Sequence, residues 1–195
     1  LLSCLRQKGK RQRPPEKRGK IKIEYSIHQR PESVKNRKQF GHWELDTMVS
    51  SRGKSKGTFA TFVERTSRFF LAFKIPDRTS LSMNQVISTL RKKLPRKAMR
   101  TATVDRGSEF AGHMELKKEL KLHLYFADPY CSWQRGSNEN ANGLLREFFP
   151  KKTDLALVKE EELQRALFLI NSRPRKCLGW KTPYEVFLDK LSHLN

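Results

Sequence analysis

Acidic residues are scarce in this chain: 20 Asp+Glu stand against 41 Lys+Arg, for a formal net charge of +21 over 195 residues. A surplus of that size opposes a compact chain unless something anionic neutralises it, so nucleic acid is the leading partner. Long apolar runs are missing as well. The longest reach five residues, as from Ala166 to Ile170, far short of the ~20 that span a bilayer. The amino end holds no apolar stretch suited to a signal peptide. The chain therefore reads as soluble and cytoplasmic, associated with the nucleoid, with no membrane partner. Cysteine is sparse: Cys4, Cys131 and Cys177 are odd in number, widely spaced and without a C-x-x-C pair. This argues against a disulfide framework or a structural zinc site and for reduced thiols.

Apolar residues are sufficient for a core, at 36% hydrophobic and 10% aromatic, so one domain with an appendage is expected. Residues 1–40 carry 13 Lys+Arg and 3 Glu, a net +10, which leaves +11 on the other 155 residues. With Pro14, Pro15 and the basic run from Lys8 to Lys22, this stretch reads as a basic arm or linker that tracks phosphates. Only a weak strand, Lys20 to Tyr25, interrupts it. The opening Leu1 suggests a piece of a longer protein.

Residues 41–195 read as a folded core. Gly41 to Ser50, Thr58 to Glu64 and Arg68 to Ile75 are short aromatic and β-branched runs between turn residues, which predicts a three-stranded antiparallel meander. Met83, Val86, Ile87, Leu90 and Leu94 recur at helical spacing between Thr79-Ser80 and Pro95. Then come a strand (Thr101 to Val104), a helix (Gly112 to Leu120), a strand (His123 to Phe126) and helices starting near Ser137, around Leu163 to Ile170 and at Thr182-Pro183. The expectation is an α/β fold with a mixed sheet of three antiparallel and two parallel strands, covered by helices on both faces.

In so basic a chain, an acid set into an apolar strand or beside a glycine turn needs a reason, because burying an unpaired carboxylate is costly. Asp46 lies mid-strand; alternation puts it with His42, Glu44 and Met48 on one face, while Trp43, Leu45, Thr47 and Val49 share the face expected to pack inward. Asp105 follows a strand and precedes Arg106-Gly107, at the carboxyl end where open α/β sheets place ligands. Glu139 begins a helix and shares its side with Asn142, Gly143 and Arg146, opposite Ala141, Leu144, Leu145 and Phe148. Asn and Gly are poor helix formers, so a site-facing surface explains that stripe better than helix stability does. Each acid alone has a plainer reading, as a solvent-facing strand residue, a turn aspartate or part of a solvated helix. Together they suit two Mg²⁺ ions, with Mn²⁺ substituting, in phosphodiester chemistry. Neither Cys131 nor any of the five histidines shows a pattern for nucleophilic catalysis.

These residues resemble the transposases of the insertion sequence 30 family, within the DDE group, whose ribonuclease H-like fold is shared with retroviral integrases. The resemblance runs from about Pro14 to Phe187. It rests on Gly41-His42-Trp43-Glu44-Leu45-Asp46-Thr47, Val63-Glu64-Arg65-Thr66-Ser67-Arg68, Thr103-Val104-Asp105-Arg106-Gly107-Ser108-Glu109-Phe110, Asp128-Pro129-Tyr130, and the long, specific segment Trp133 to Arg146. The 33 residues between Asp105 and Glu139 match the family, as does a basic residue, Arg146, seven positions after the Glu. So does the closing pattern of Asn171, Arg173, Pro174, Arg175, Lys176, Leu178, Gly179, Thr182, Pro183 and Glu185. The family's amino-terminal helix-turn-helix region, which recognises element ends, has no counterpart here.

The resemblance implies a catalytic core in which Asp46, Asp105 and Glu139 hold the metal ions. The implied reaction is cleavage at transposon ends followed by attack of the freed 3′-hydroxyl on target DNA. Implied partners are the terminal inverted repeats, target DNA and further copies of the chain, as a homo-oligomer. Arg146, and after it Arg106 and Arg135, are the candidate phosphate contacts. Trp133 suits either a base stack or core packing. Two rivals are a nuclease of the same fold, which cuts without joining, and a non-catalytic basic DNA-binding fragment that needs no metal.

Overall fold

The structure, a computed structural model, describes residues 21–51, 53 and 55–194. The readings made on Pro14, Pro15, Cys4 and most of the basic run lie outside the described residues. Six strands form one sheet in the order β1-β6-β5-β2-β3-β4, namely β1 (Tyr25–Ser26), β2 (His42–Val49), β3 (Thr58–Glu64), β4 (Phe70–Ile75), β5 (Thr101–Val104) and β6 (His123–Phe126). The pairs β2/β3 and β3/β4 are antiparallel, giving the expected meander. The pairs β2/β5, β5/β6 and β1/β6 are parallel, so the sheet gains a third parallel strand at its edge. That strand is shorter and later than the one expected over Lys20 to Tyr25. Ser26 accepts a hydrogen bond from the His28 amide and caps a 3₁₀ turn, Ile27–Gln29, which turns the chain away from the sheet. The segment leading to the core is itself packed: Ile27, Val34 and Phe40 are buried.

Helices α1 (Glu32–Lys35), α2 (Ser80–Lys93), α3 (His113–Leu120), α4 (Gly136–Phe148), α5 (Glu160–Asn171) and α6 (Pro183–Ser192) complete the described residues. Their ends follow local chemistry. Thr79 accepts from the Ser82 amide at the start of α2, which stops at Leu94, before Pro95. Thr182 and Glu185 form a capping box with Pro183 in the first turn of α6.

Helices cover both faces, and alternation along each strand sorts the side chains into two cores. One joins Trp43, Leu45, Ala60, Phe62, Ala102 and Val104 to α2, α3 and α6. The other joins Met48, Phe59, Val63, Phe70 and Ala72 to α4 and α5. Each fully buried large side chain contributes roughly 1.5–3 kcal/mol. The face of β2 that carries His42, Glu44 and Met48 is thus buried too, contrary to the expectation of one inward face, because α4 and α5 lie over it. Val49, expected to face inward, is exposed.

Candidate active site

Strands β2 and β5 run parallel, with their last partners at Glu44 and Thr103. Asp46 and Asp105 each lie two residues further on. Asp46, still within β2, and Asp105, just past the end of β5, fall on the same side of the sheet, because parallel strands in register present like faces. That side is the one covered by α4.

The amino end of α4 is held there by an acid that sequence reading did not single out. Glu44 is fully buried and accepts from the Ser137 hydroxyl (3.1 Å) and the Asn138 amide (3.0 Å), while the Asn138 side-chain amide donates to the Glu44 carbonyl (2.9 Å). Arg135, in the capping position, makes no side-chain bond to the helix. Glu44 therefore satisfies a free amide of the first turn and opposes the helix dipole from another element. Arg65 lies 3.5 Å from the same carboxylate. Arg37 and Arg68 both donate to the Ser137 hydroxyl, at 2.7 and 3.0 Å. The signal for Glu44 was present, an acid in an apolar strand, but its hydrogen-bond partners Ser137 and Asn138 lie more than 90 residues away in the chain.

Asp46 and Asp105 share one guanidinium. Arg135 Nη1 is 3.1 Å from Asp46 Oδ2, and its Nη2 is 3.3 Å from Asp105 Oδ2. Burial pushes the Asp46 carboxyl up from the ordinary range; Arg135 opposes this, and the Asp105 charge adds to it. The Asp46 backbone neighbour Thr47 donates its amide to Oδ1 (2.8 Å), and the Asn142 amide reaches Oδ2 at 3.5 Å. One member of the polar stripe on α4 thus faces the acid pair. Asp105 Oδ1 accepts from the Gly107 amide at 2.8 Å.

Glu139 sits in the first turn of α4 with an exposed side chain and makes no hydrogen bond or ion pair with a described residue. Among the described residues, no group of three or more His, Cys, Asp or Glu side chains stands close enough to hold a metal ion. The structure thus brings together two of the three expected acids, with Arg135 between them, and leaves the third apart.

The donor chemistry of the pair nevertheless suits a hard divalent cation, since two side-by-side carboxylates face a single guanidinium. Gly107 leaves room beside them. A Cβ there would lie 2.8 Å from Asp105 Oδ1 and 2.2 Å from Glu109 Oε2. Glu109 is fully buried; its Oε1 is held by Arg78 and Thr47, while Oε2 has no hydrogen-bond partner.

The candidate phosphate contacts differ in availability. Arg106 is exposed, with weak ties to the Ala127 carbonyl and Asp128. Arg146 donates to the carbonyls of Val49, Phe149 and Pro150 and ties the end of α4 to the end of β2. Trp133 lies on a 3₁₀ turn, Ser132–Arg135, and is 71% exposed, so core packing does not account for it. Cys131 and Cys177 are free thiols.

The integrase core domain family matches residues 36–132, which include Asp46 and Asp105 and end before Glu139. The transposase for insertion sequence element IS1086 of Cupriavidus metallidurans is 39% identical over 197 residues, covering 99% of this chain and 58% of that protein. The transposase InsI for insertion sequence element IS30A of Escherichia coli is 41% identical over 180 residues, covering 91% of this chain and 46% of that protein. The chain spans about half the length of the curated relatives it matches. The crystal structure of the catalytic core domain of BIV integrase aligns with a TM-score of 0.60 at 25% identity, over 78% of this chain and 96% of that one. A mixed sheet of this topology, the integrase core match and the identity to these transposases agree on one assignment: the chain carries an integrase core of ribonuclease H-like fold and is similar over nearly its whole length to transposases of insertion sequence elements, IS30 among them.

Proposed function

We propose that this chain is the catalytic core of a DNA transposase, a polynucleotidyl transferase that cuts one strand at a transposon end and joins the freed 3′-hydroxyl to target DNA. The observation that carries the reading is the pairing of Asp46, within β2, with Asp105, just past the end of the adjacent parallel strand β5, across one guanidinium and beside the anchored start of α4, on a chain of net charge +21. Asp46 and Asp105, with Glu139 from α4, would hold Mg²⁺ or Mn²⁺ as two ions. A divalent metal held there would supply activation of the attacking oxygen and stabilisation of the leaving oxygen, with no covalent protein–DNA intermediate required.

The chain's own residues set the stage for that chemistry. Glu44 fixes the start of α4, and with it the backbone of Glu139 and the amide of Asn142 that reaches Asp46. The Gly107 amide orients Asp105. Arg106 and Arg135 flank the acids where backbone phosphates would run, and Trp133 offers an open ring to an unpaired base, a stack worth ~1–3 kcal/mol. Arg146 serves by holding α4 to β2. Residues 41–195 act as the core, onto which the segment from Tyr25 to Phe40 packs, and the basic stretch before that segment acts as an arm along the DNA. The DNA comprises terminal inverted repeats and target, engaged by a homo-oligomer.

Cleavage of supercoiled plasmid and joining of pre-cut element-end oligonucleotides, with Mg²⁺ or Mn²⁺, test this reading. Asp105→Asn is expected to abolish both reactions while binding DNA equally or more tightly, since it removes a metal ligand and a negative charge beside phosphate. Wild-type cleavage by that variant would refute the site, and cleavage without joining would favour a nuclease of the same fold.

A further inference from the structure

We propose that Arg135 is the resident counter-cation of the Asp46–Asp105 pair, released when DNA offers it a phosphate, so that metal loading and DNA binding each promote the other. The inference rests on the reading of the pair as a metal site.

The way Arg135 is held sets it apart from a structural arginine. Arg78 shows what such a residue looks like in this fold: its Nε and Nη2 both reach Glu109 Oε1, at 2.8 and 2.7 Å. Those lengths are normal for charge-assisted bonds, at roughly 2.7–2.9 Å. Arg135 instead splits its two terminal nitrogens between two carboxylates at 3.1 and 3.3 Å, and Nη1 is also 3.4 Å from the Leu45 carbonyl. Its Nε is buried without a partner. Its side chain is only 12% exposed. A guanidinium that bridges two acids loosely and leaves one donor unused holds the pair together without matching it.

A divalent cation seeking the same oxygens must displace that guanidinium. Left in that poorly exposed position once the cation takes the carboxylates, the guanidinium would be an uncompensated charge beside another cation, at a heavy cost. A DNA phosphate removes the penalty, because its two oxygens accept the planar fork in parallel. Arg135 ends the 3₁₀ turn at the mouth of the site and is followed directly by α4, so a change of side-chain rotamer suffices and the anchored helix stays in place. By linkage, whatever factor DNA contributes to metal affinity, metal contributes to DNA affinity.

The test is Mn²⁺ affinity, read by electron paramagnetic resonance of the free ion, with and without a short random duplex. Thermal melting alongside confirms that each variant is folded. For the wild type, saturating duplex is expected to tighten Mn²⁺ binding about tenfold or more, within the usual range of linked sites. Arg135→Gln is expected to bind Mn²⁺ about tenfold more tightly without DNA and to gain little from duplex. Arg135→Lys, which keeps the charge but cannot span both acids, should fall between and serves if the Gln variant does not fold. Arg106→Gln, which removes the same charge from the neighbouring turn, should change metal affinity much less.

The proposal is overturned if Arg135→Gln binds Mn²⁺ no more tightly than wild type in the absence of DNA, or if Arg106→Gln matches it. If neither wild type nor variant binds Mn²⁺ even with duplex, the metal reading of the acid pair fails and takes this one with it. If Mn²⁺ binds and only the Arg135 effect is missing, the metal reading stands alone.

Discussion

His42 opens β2 with its ring buried between two partners. Nε2 faces the Gln39 side-chain oxygen at 2.9 Å, and Nδ1 faces the Thr101 hydroxyl at 2.8 Å. This pattern suits a neutral ring that donates from Nε2 and accepts at Nδ1. Burial, reinforced by Arg100, Arg65 and Arg30, lowers its pKa from 6.5 to about 4. The unfolded chain therefore takes up a proton near pH 6.5 and the folded chain only near pH 4. Between those values the unfolded state holds more protons. The stability owed to the neutral ring is fully present above the upper value and is lost as pH falls toward the lower one. At about 1.4 kcal/mol per pH unit between the two values, the whole effect is about 3 kcal/mol, of which about 2.5 is lost by pH ~4.5. Buried Asp46 and Glu64, both pushed up by desolvation, act in the opposite sense and gain stability as pH falls. The wild-type curve alone mixes these effects, so the measurement is a difference. Urea unfolding of wild type and His42→Gln at pH ~7.5 and pH ~4.5 should show the wild-type advantage shrinking by about 2.5 kcal/mol. Parallel stability curves for the two proteins would refute the reasoning, since they would mean that His42 titrates alike in both states.

Three further outcomes follow from the packing. Gly107→Ala has no backbone strain, at φ −70°, but sets its methyl against Glu109 Oε2 and Asp105 Oδ1; a loss of about 1–3 kcal/mol is expected in chemical unfolding, and an unchanged midpoint would show that the carboxylates move aside freely. Glu44→Gln removes the charged acceptor from the start of α4 and leaves Arg65 without its carboxylate, which should cost about 2–4 kcal/mol in thermal unfolding. A Glu44→Gln protein melting with the wild type would remove Glu44 as the anchor of α4. Trp43→Phe deprives the buried Ala98 carbonyl of its indole donor, a bond of 2.8 Å, and should lower stability by about 1–3 kcal/mol, again read from urea unfolding.

Strands and helices were legible where the signal is local. Thr58–Glu64, Thr101–Val104 and His123–Phe126 are β-branched or aromatic runs closed by turn residues, and each spans the expected residues. Thr79 and Thr182 marked helix starts through hydroxyls that cap within three residues. What depends on distant partners was not legible. β2 looked one-sided because the helices that bury its polar face arrive some 90 residues later in the chain. Within the site, the adjacency of Asp46 and Asp105 follows from strand register once β2 and β5 pair in parallel. Arg135 read as a phosphate contact because a basic residue before a helix carries no mark of an acid pair folded against it. The third acid was read from the polar stripe at the start of its helix and from its motif spacing, and helix α4 forms as expected, but side-chain convergence on the other two is not a property that either encodes.

The sheet also acts as a bulkhead between two kinds of sequence change. His42, Glu44, Asp46, Thr103 and Asp105 alternate with Trp43, Leu45, Ala102 and Val104, so the acids and their anchor lie on one side and the Trp43–Phe62–Phe187 core on the other. Apolar swaps among α2, α6 and the facing strand residues can therefore drift, or be selected in a library for thermostability, without touching the acid pair directly. Equivalent swaps beneath α4 would shift Ser137, Asn138 and Asn142 together. A stabilising campaign confined to the first side should leave the Asp46–Asp105 pair and its anchor intact, which makes that half of the domain the place to engineer.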